Sequence, residues 1–314
     1  MGCEVEEIEL IINEYAGNAR TKKQIPALMA ALAEQYTFAT TTYTKQPGDA
    51  RDAVAAVVAK VEAASVKPLV VVIGGDGTLH DVVNGLQALG QGDIPVGYIP
   101  NGTGNDFARA HGIPLDPFAA VAALKTARPH AARIGKAETE EYGTLYFLNN
   151  FGVGVDGGIV YDTNHSTSKA ALNKVHLGQL SYTANILRAV VSQKAFRSTV
   201  KIDQAKTIDN TFLCVFTNHP FLGGGLRLFP DYAQDWHQLS FVLVRKEKWR
   251  LLIQVLMAIL SGKSEHRKLG HVKAHRYEFS TDAHEHIQLD GEEYTSPVHA
   301  VLTQVDQTML LPIQ

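Results

Sequence analysis

The chain has 314 residues, 45% of them hydrophobic and 19% charged, with 26 glycines, 12 prolines and two cysteines. At about 150 residues per domain this is material for roughly two globular domains, and the composition excludes a collagen, a disordered tail and a disulfide-stapled secreted module. The net charge of −3 is unevenly spread: Arg245 to Arg276 holds nine Lys/Arg against two Glu. That local +7 points to an anionic surface or ligand, while the overall balance excludes a general nucleic-acid binder.

Cys3 and Cys214 lie in no zinc-type or disulfide-framework spacing, which fits a reducing cytoplasm. The acidic start, Met1 to Leu10, lacks the basic and apolar regions of a signal peptide. Gly2 is followed at position 6 by Glu6, where a myristoylation motif needs Ser or Thr. The longest apolar run, Leu251 to Leu260, is about half the length of a bilayer span. The expectation is a cytoplasmic protein with no membrane-crossing segment.

In chain order, the apolar run Ile8–Ile12 predicts a strand, followed by a turn from Asn13 to Asn18 and a helix over Ile25–Gln35. Thr37–Tyr43 predicts a second strand, and Asp49–Ala64 a helix with Val54, Val57, Val58 and Val61 on one face. Leu69–Ile73 reads as a buried parallel strand leading to a helix over Leu79–Leu89. Pro95–Ile99 repeats that pattern before a short helix at Asn105–Ala110. This alternation predicts a doubly wound, Rossmann-like α/β domain over residues 1–128. Beyond it, β-prone runs at Thr144–Asn149, Thr211–Thr217, Leu239–Val244, His271–Ser280 and Val298–Val305 predict a mainly β domain over 129–299. Helical insertions are expected at Ser168–Lys194 and Lys248–Leu260. Whether residues from about 300 to 314 return to the first domain stays open.

Val70 to Leu79 is a buried strand that empties through Gly74-Gly75-Asp76-Gly77-Thr78 into a helix. Glycines let a backbone approach an anion closely, helix-start N–H groups point at it, and Asp76 can hold an accompanying Mg²⁺. No GxxxxGK[ST] sequence occurs, which excludes a P-loop NTPase. The device recurs at Ile99-Pro100-Asn101-Gly102-Thr103-Gly104-Asn105-Asp106-Phe107, and the two turns are expected to face one ligand. Thr78 with Asp81, and Thr103 with Asp106, also fit a capping box, so Asp106 keeps two readings, cap and site residue. Asp290 and Glu292 fall in a hairpin turn, for which Asp290-Gly291 alone is only a turn signal.

Other features have plain explanations. Gly152 to Gly157 matches GxGxxG but lacks the βαβ context of a dinucleotide site. The 13 histidines show no HExxH pattern. The Lys248–Leu260 helix, with Trp249, Leu252, Val255, Leu256 and Ile259 at helical spacing, reads as core-facing in preference to a membrane-surface helix.

The two glycine motifs together, the second extending through Ala108 and Arg109, resemble the bacterial diacylglycerol kinase family of soluble lipid kinases. The first motif is shared with NAD kinases; the second is the more specific. The resemblance continues through Thr44 and the following Lys45 to Ala50, Gly223-Gly224-Gly225 with Pro230, and Leu289 to Glu292. It implies a Rossmann-like domain and a C-terminal β-sandwich domain, ATP in a cleft between them, and a lipid entering the second domain. It also implies nucleotide contacts at Asn13, Thr44, Gly74, Gly75, Asp76, Gly77, Thr78, Leu79, His80, Thr103 and Asn105. Asp76 and Asp106 are the expected Mg²⁺ residues, Asp76 and Glu292 the catalytic ones, with Glu292 as proton acceptor.

Two departures from the family pattern stand out. Glu14 replaces the proline of the usual first turn, leaving Asn13 and Gly17 in place. The register of an accessory metal site falls on Trp236-His237-Gln238-Leu239, with Asp235 one residue early. The expected reaction is transfer of the γ-phosphate of ATP to a hydroxyl of a diacylglycerol-like lipid. The substrate sits at a membrane surface, with peripheral docking on the inner, anionic face through the +7 segment. The other readings are an NAD kinase-like enzyme and a catalytically silent, membrane-associated nucleotide sensor. Which lipid is used, and whether the chain forms a homodimer, are left open.

Overall fold

The computed structural model describes residues 6–17, 19–46, 48–61, 67–155, 157–158, 161, 193–202, 205–229, 237–246, 270–281, 284–295 and 298–312. The chain divides into two compact units, one of residues 1–134, 221–225 and 305–314, the other of 135–220 and 226–304.

The first unit alternates strand and helix. β1 (Glu6–Asn13), β2 (Tyr36–Thr44), β3 (Leu69–Gly74) and β4 (Val96–Pro100) are interleaved with α1 (Ala19–Ala33), α2 (Asp49–Val61) and α3 (Asp76–Ala88); α4 (Asp106–Ala110) and α5 (Pro117–Leu124) follow. The strands pair in parallel in the order β2-β1-β3-β4. Every residue of β3 and β4 is buried, which is why these segments read as unbroken apolar runs. The order reverses between β1 and β3, and a doubly wound sheet opens its ligand crevice at the carboxyl ends of strands at such a switch point. The end of the long β17 (Val298–Leu311) adds a parallel contact to β4 at Met309↔Val96.

α1 starts six residues before the expected helix and contains Pro26. α5 lies outside the expected elements: Asp116 caps it by accepting from Ala119 N–H at 2.9 Å, and Pro117 opens it.

The second unit is antiparallel β. Its strands are the later part of β5 (Arg128–Thr139), β6 (Gly143–Phe147), β7 (Asn150–Gly154), β8 (Phe196–Lys201), β9 (Ala205–Thr217), β12 (Leu239–Arg245), β13 (Gly270–Ala274), β14 (Tyr277–Thr281), β15 (His286–Leu289), β16 (Glu292–Thr295) and the first part of β17. β9 organises it. Its first half pairs with β8, and Leu213–Thr217 pairs with β7 on one side and β12 on the other. Register shifts opposite Thr211, and Asn210 at φ +59°, bend β9 so that it serves both layers of the sandwich. Between the layers Phe216 is the hub, stacked on Phe241 at 4.8 Å and edge-on to Tyr277 and Phe279 at 5.3 and 5.4 Å. Cys214 is buried there, and burial pushes its thiol up to about 12.

Two β-prone runs are each two strands: Thr144–Asn149 breaks between β6 and β7, and His271–Ser280 breaks between β13 and β14. Gly152 and Gly154 sit in β7, paired to β9 and, at Gly152, to β15, so the GxGxxG run is ladder in its first part. Residues 221–225, read as part of the second domain, cluster with the first unit because their glycine N–H groups bond to Asp106. Residues 168–192 of the helical insertion expected at 168–194, the insertion expected at 248–260, and Pro230, Asp235 and Trp236 lie outside the described residues; Gln193 and Lys194, at the end of the first, are not helical.

Candidate active site

Asn13, Thr44, Gly74 and Pro100 end the four parallel strands β1, β2, β3 and β4, so the expected nucleotide residues of the first unit converge on one edge of the sheet. Asn13 ties the end of β1 to the first turn of α3 by donating from Nδ2 to Thr78 Oγ1 at 2.9 Å, while its Oδ1 accepts from Tyr15 N–H at 2.9 Å. Thr44 is buried, and its hydroxyl faces the Ile12 carbonyl at 3.4 Å.

The two glycine loops touch main chain to main chain. Asn101 N–H donates to the Gly74 carbonyl at 2.7 Å. A Cβ built on Gly102 would lie 2.6 Å from Gly75 Cα, and one on Gly74 would lie 2.7 Å from the Thr78 side chain. Both positions therefore need glycine for close approach rather than for an unusual dihedral.

The helix starts differ from the capping-box reading. α3 begins at Asp76 with Gly75 as N-cap, and Thr78 and Leu79 N–H both reach the Gly75 carbonyl at 3.1 and 3.2 Å. Thr78 thus stands inside the helix, and Asp81 contacts Arg51 at 3.7 Å on the neighbouring α2. In the second loop Asn105, at φ +55°, is the N-cap, and Asp106 is the first helical residue. Neither threonine caps its helix: Thr78 is the third residue of α3, and Thr103 lies two residues before the Asn105 N-cap.

The side chains then divide. Gly77 and Thr103 are exposed and Asp76 is half-buried, whereas Leu79 and His80 are buried in the body of α3, His80 beside Asn84. Asn105 is bound to its own loop: Oδ1 accepts from Gly102 N–H and Nδ2 donates to the Gly102 carbonyl, both at 3.1 Å. Tyr98 OH adds a bond to Asn105 Oδ1 at 3.3 Å. Burial, with the negative Asp76 and Asp106 nearby, holds the Tyr98 phenol protonated far above its usual range.

Asp76 accepts from the N–H groups of Asp106 and Phe107 at 3.1 and 3.3 Å, which places a carboxylate against the start of α4. Asp106 accepts from Gly224 and Gly225 N–H at 2.9 and 2.6 Å. Of the two expected Mg²⁺ residues, each accepts a backbone N–H on both carboxylate oxygens, and exposure alone makes Asp76 the better fit: it is half-buried beside the glycine loops, whereas Asp106 is 5% exposed. No cluster of three or more His, Cys, Asp or Glu suited to a metal occurs among the described residues. Asp235, expected at an accessory site, lies outside them.

In the second unit Asp290 (φ +51°) and Gly291 (φ +93°) form the two-residue turn that joins β15 to β16, with Leu289 paired to Glu292. The turn is gripped from behind. Asp290 accepts from Leu148, Asn149 and Asn150 N–H at 2.6, 2.9 and 2.9 Å, and Gly291 N–H donates to Gln288 Oε1 at 3.0 Å. Glu292, first in β16 and half-buried, accepts from Tyr294 OH at 2.8 Å. Tyr142 packs edge-on against Tyr294 with ring centroids 5.0 Å apart.

Three participants have no role in the sequence reading. Asn101, at the end of β4, is 2% exposed, and neither atom of its amide has a hydrogen-bond partner among the described residues. Arg109 lies against Gly225, and Tyr294 holds Glu292. Asn101 and Arg109 could have been flagged as polar side chains inside a glycine motif; nothing in the sequence marks Tyr294.

A family model described as the diacylglycerol kinase catalytic domain matches residues 7–137, and one described as the YegS C-terminal NAD kinase beta sandwich-like domain matches 153–309. The chain is 30% identical over 292 residues to the "Diacylglycerol kinase" of Bacillus subtilis, covering 92% of this chain and 90% of that protein. It is 27% identical over 289 residues to "Putative lipid kinase YtlR" of the same organism, covering 90% and 92%. A crystal structure of "a putative diacylglycerol kinase" from Bacillus anthracis superposes with a TM-score of 0.76 at 25% identity, covering 99% of this chain and 97% of the other. With an α/β unit whose glycine loops meet at the strand ends, a β-sandwich unit, and these matches along nearly its whole length, the chain belongs to the diacylglycerol kinase family and is a kinase.

Proposed function

We propose that the protein transfers the γ-phosphate of ATP to a hydroxyl of a diacylglycerol-like lipid. The observation that carries this reading is the convergence of Asn13, Thr44, Gly74–Thr78 and Asn101–Asp106 on the carboxyl ends of four parallel strands, with the two glycine loops in backbone contact. Main-chain N–H groups at such ends suit phosphate oxygens, and the close glycine approach leaves no Cβ to keep an anion away.

Phosphoryl transfer asks mainly for positioning and charge neutralisation. The loops position the triphosphate. Mg²⁺, held through Asp76, would neutralise phosphate charge when bound. The lipid hydroxyl oxygen attacks the γ-phosphorus, the bond to the bridging oxygen breaks to release ADP, and Glu292 takes the hydroxyl proton. A general base of this kind contributes about 10²- to 10⁴-fold in rate. The Asp290-Gly291 turn and the Tyr294 hydroxyl hold the Glu292 carboxylate in place.

Docking at an anionic membrane through the basic stretch belongs to the same proposal. Most of that stretch, including residues 247–269, lies outside the described residues. No helix among the described residues is long and apolar enough to cross a membrane.

The test is a transfer assay with γ-labelled ATP, Mg²⁺ and a mixed lipid extract, run beside Asp76→Ala. Label in a lipid that disappears with the variant is the expected result. Label in NADP, or in no lipid, would overturn the acceptor assignment.

A further inference from the structure

Gly223, Gly224 and Gly225 have φ values of +57°, +88° and +90°, a run in the left-handed region that other residues enter only with strain. They form the tip between two short strands, β10 (Phe221–Leu222) and β11 (Leu226–Arg227), paired as a ribbon. Successive N–H groups in such backbone converge into a cup for an anion. Here the anion is internal. Asp106 Oδ2 accepts from Gly224 N–H at 2.9 Å and Oδ1 from Gly225 N–H at 2.6 Å.

The surrounding geometry ties this cup to the glycine loops. Asp106 is 5% exposed, and its own N–H donates to Asp76 Oδ2 at 3.1 Å. Arg109, one helical turn on, donates from Nε to the Gly104 carbonyl at 3.3 Å and stands 3.9 Å from Asp106 Oδ1. A Cβ on Gly225 would lie 3.1 Å from Arg109 Nε; one on Gly104 would lie 3.1 Å from Asp76 Oδ2 and 3.7 Å from Gly224 N. The turn, the loop and the arginine therefore lie in contact with one another.

We propose that Asp106 is a positioning residue, whose carboxylate clasps the Gly223–Gly225 turn to the Gly102–Asp106 loop and so sets Arg109 beside the phosphate-directed glycines, instead of ligating the metal. A metal at Asp106 would compete with the two amide bonds that hold three left-handed glycines. Arg109 places a guanidinium beside these loops, a group that suits a phosphate oxygen. The inference rests on the phosphoryl-transfer reading for the purpose of the clasp, and on the hydrogen bonds alone for its existence.

The test uses the full chain with Asp106→Asn, which keeps the size of the side chain and removes its charge and one acceptor. Amide exchange in a peptide spanning residues 221–227 is expected to accelerate at least tenfold. Phosphoryl transfer is expected to fall at least tenfold, with the Mg²⁺ concentration for half-maximal rate within twofold of wild type. Unchanged exchange would overturn the clasp. A tenfold higher Mg²⁺ requirement, with the rate restored by excess Mg²⁺, would overturn it in favour of a metal ligand. Should Asp106→Asn not fold, Gly225→Ala disturbs the turn with Asp106 intact: it is expected to lose transfer to the same degree, and wild-type transfer in it would overturn the proposal. Failure of the kinase reading shows separately, as wild-type protein that labels no lipid, and leaves the exchange measurement to decide the clasp.

Discussion

At the carboxyl ends of β3 and β4 side chains hold main-chain loops: Asp76 accepts from Asp106 and Phe107 N–H, Asn105 bonds to its own loop at Gly102, and Asp106 accepts from Gly224 and Gly225 N–H. At the β15–β16 turn the relation is inverted: main-chain N–H groups of Leu148, Asn149 and Asn150 hold Asp290, so that a side-chain carboxylate, Glu292, is displayed. Under the proposed phosphoryl transfer the difference would suit two tasks. A triphosphate with many oxygens wants several fixed donors, whereas a single proton wants one acceptor with a defined orientation.

The comparison can be broken most forcefully at Asp290. Asp290→Ala leaves three buried donors unpaired, each costing about 1–3 kcal/mol, so the variant should lose at least about 3 kcal/mol in a denaturant titration. A loss below about 1 kcal/mol would show that the turn is not held from behind. Next comes Gly102→Ala, whose Cβ would fall 2.6 Å from Gly75 Cα. Forcing the loops apart should cost about 1–3 kcal/mol and weaken nucleotide binding measured by calorimetry; unaltered affinity would mean that the backbone contact does not shape the site.

Tyr294→Phe sharpens the contrast, because it removes one bond to Glu292 and nothing from the glycine loops. Turnover should fall by roughly 3- to 10-fold, the equivalent of about 0.5–1.5 kcal/mol, with nucleotide affinity unchanged. A parallel loss of affinity would contradict the division of labour.

The smallest effect is one of pH. His271 on β13 stacks on Phe229 at 4.2 Å, and burial, helped by Lys273, lowers its pKa below the usual 6.5. Its contribution to stability is complete above the unfolded value and is lost as pH falls through the lowered folded one, because charging requires the ring to leave its site. Unfolding midpoints should therefore drop as pH decreases below about 6.5, and His271→Phe should flatten that slope.

Much of the first unit was legible because its physics is local. β3 and β4 are buried on both faces and read as apolar runs; the glycine motifs mark their ends by spacing alone. What escaped depended on contacts distant in sequence. The first glycine loop's helix starts at Asp76, three residues before the expected Leu79, because Gly75 is its N-cap, which a Thr-x-x-Asp pattern does not mark; the second starts within one residue of the expected Asn105. The membership of 221–225 in the first unit depends on bonds between residues 118 and 119 positions apart. In the second unit the division of β6 from β7 is invisible in composition, because Leu148 and Asn149 are turned by Asp290 some 140 residues later. Glu292 as proton acceptor came only from the family resemblance; the turn signal Asp290-Gly291 located the hairpin without giving its purpose.

The most direct test of the division between phosphate-holding loops and a proton-accepting hairpin is Glu292→Gln, with ATP affinity by calorimetry and transfer by single-turnover labelling on the same preparation. The account predicts ATP affinity within twofold of wild type and transfer slower by about 10²- to 10⁴-fold. Wild-type transfer, or a loss of transfer that only follows a loss of ATP affinity, would contradict it.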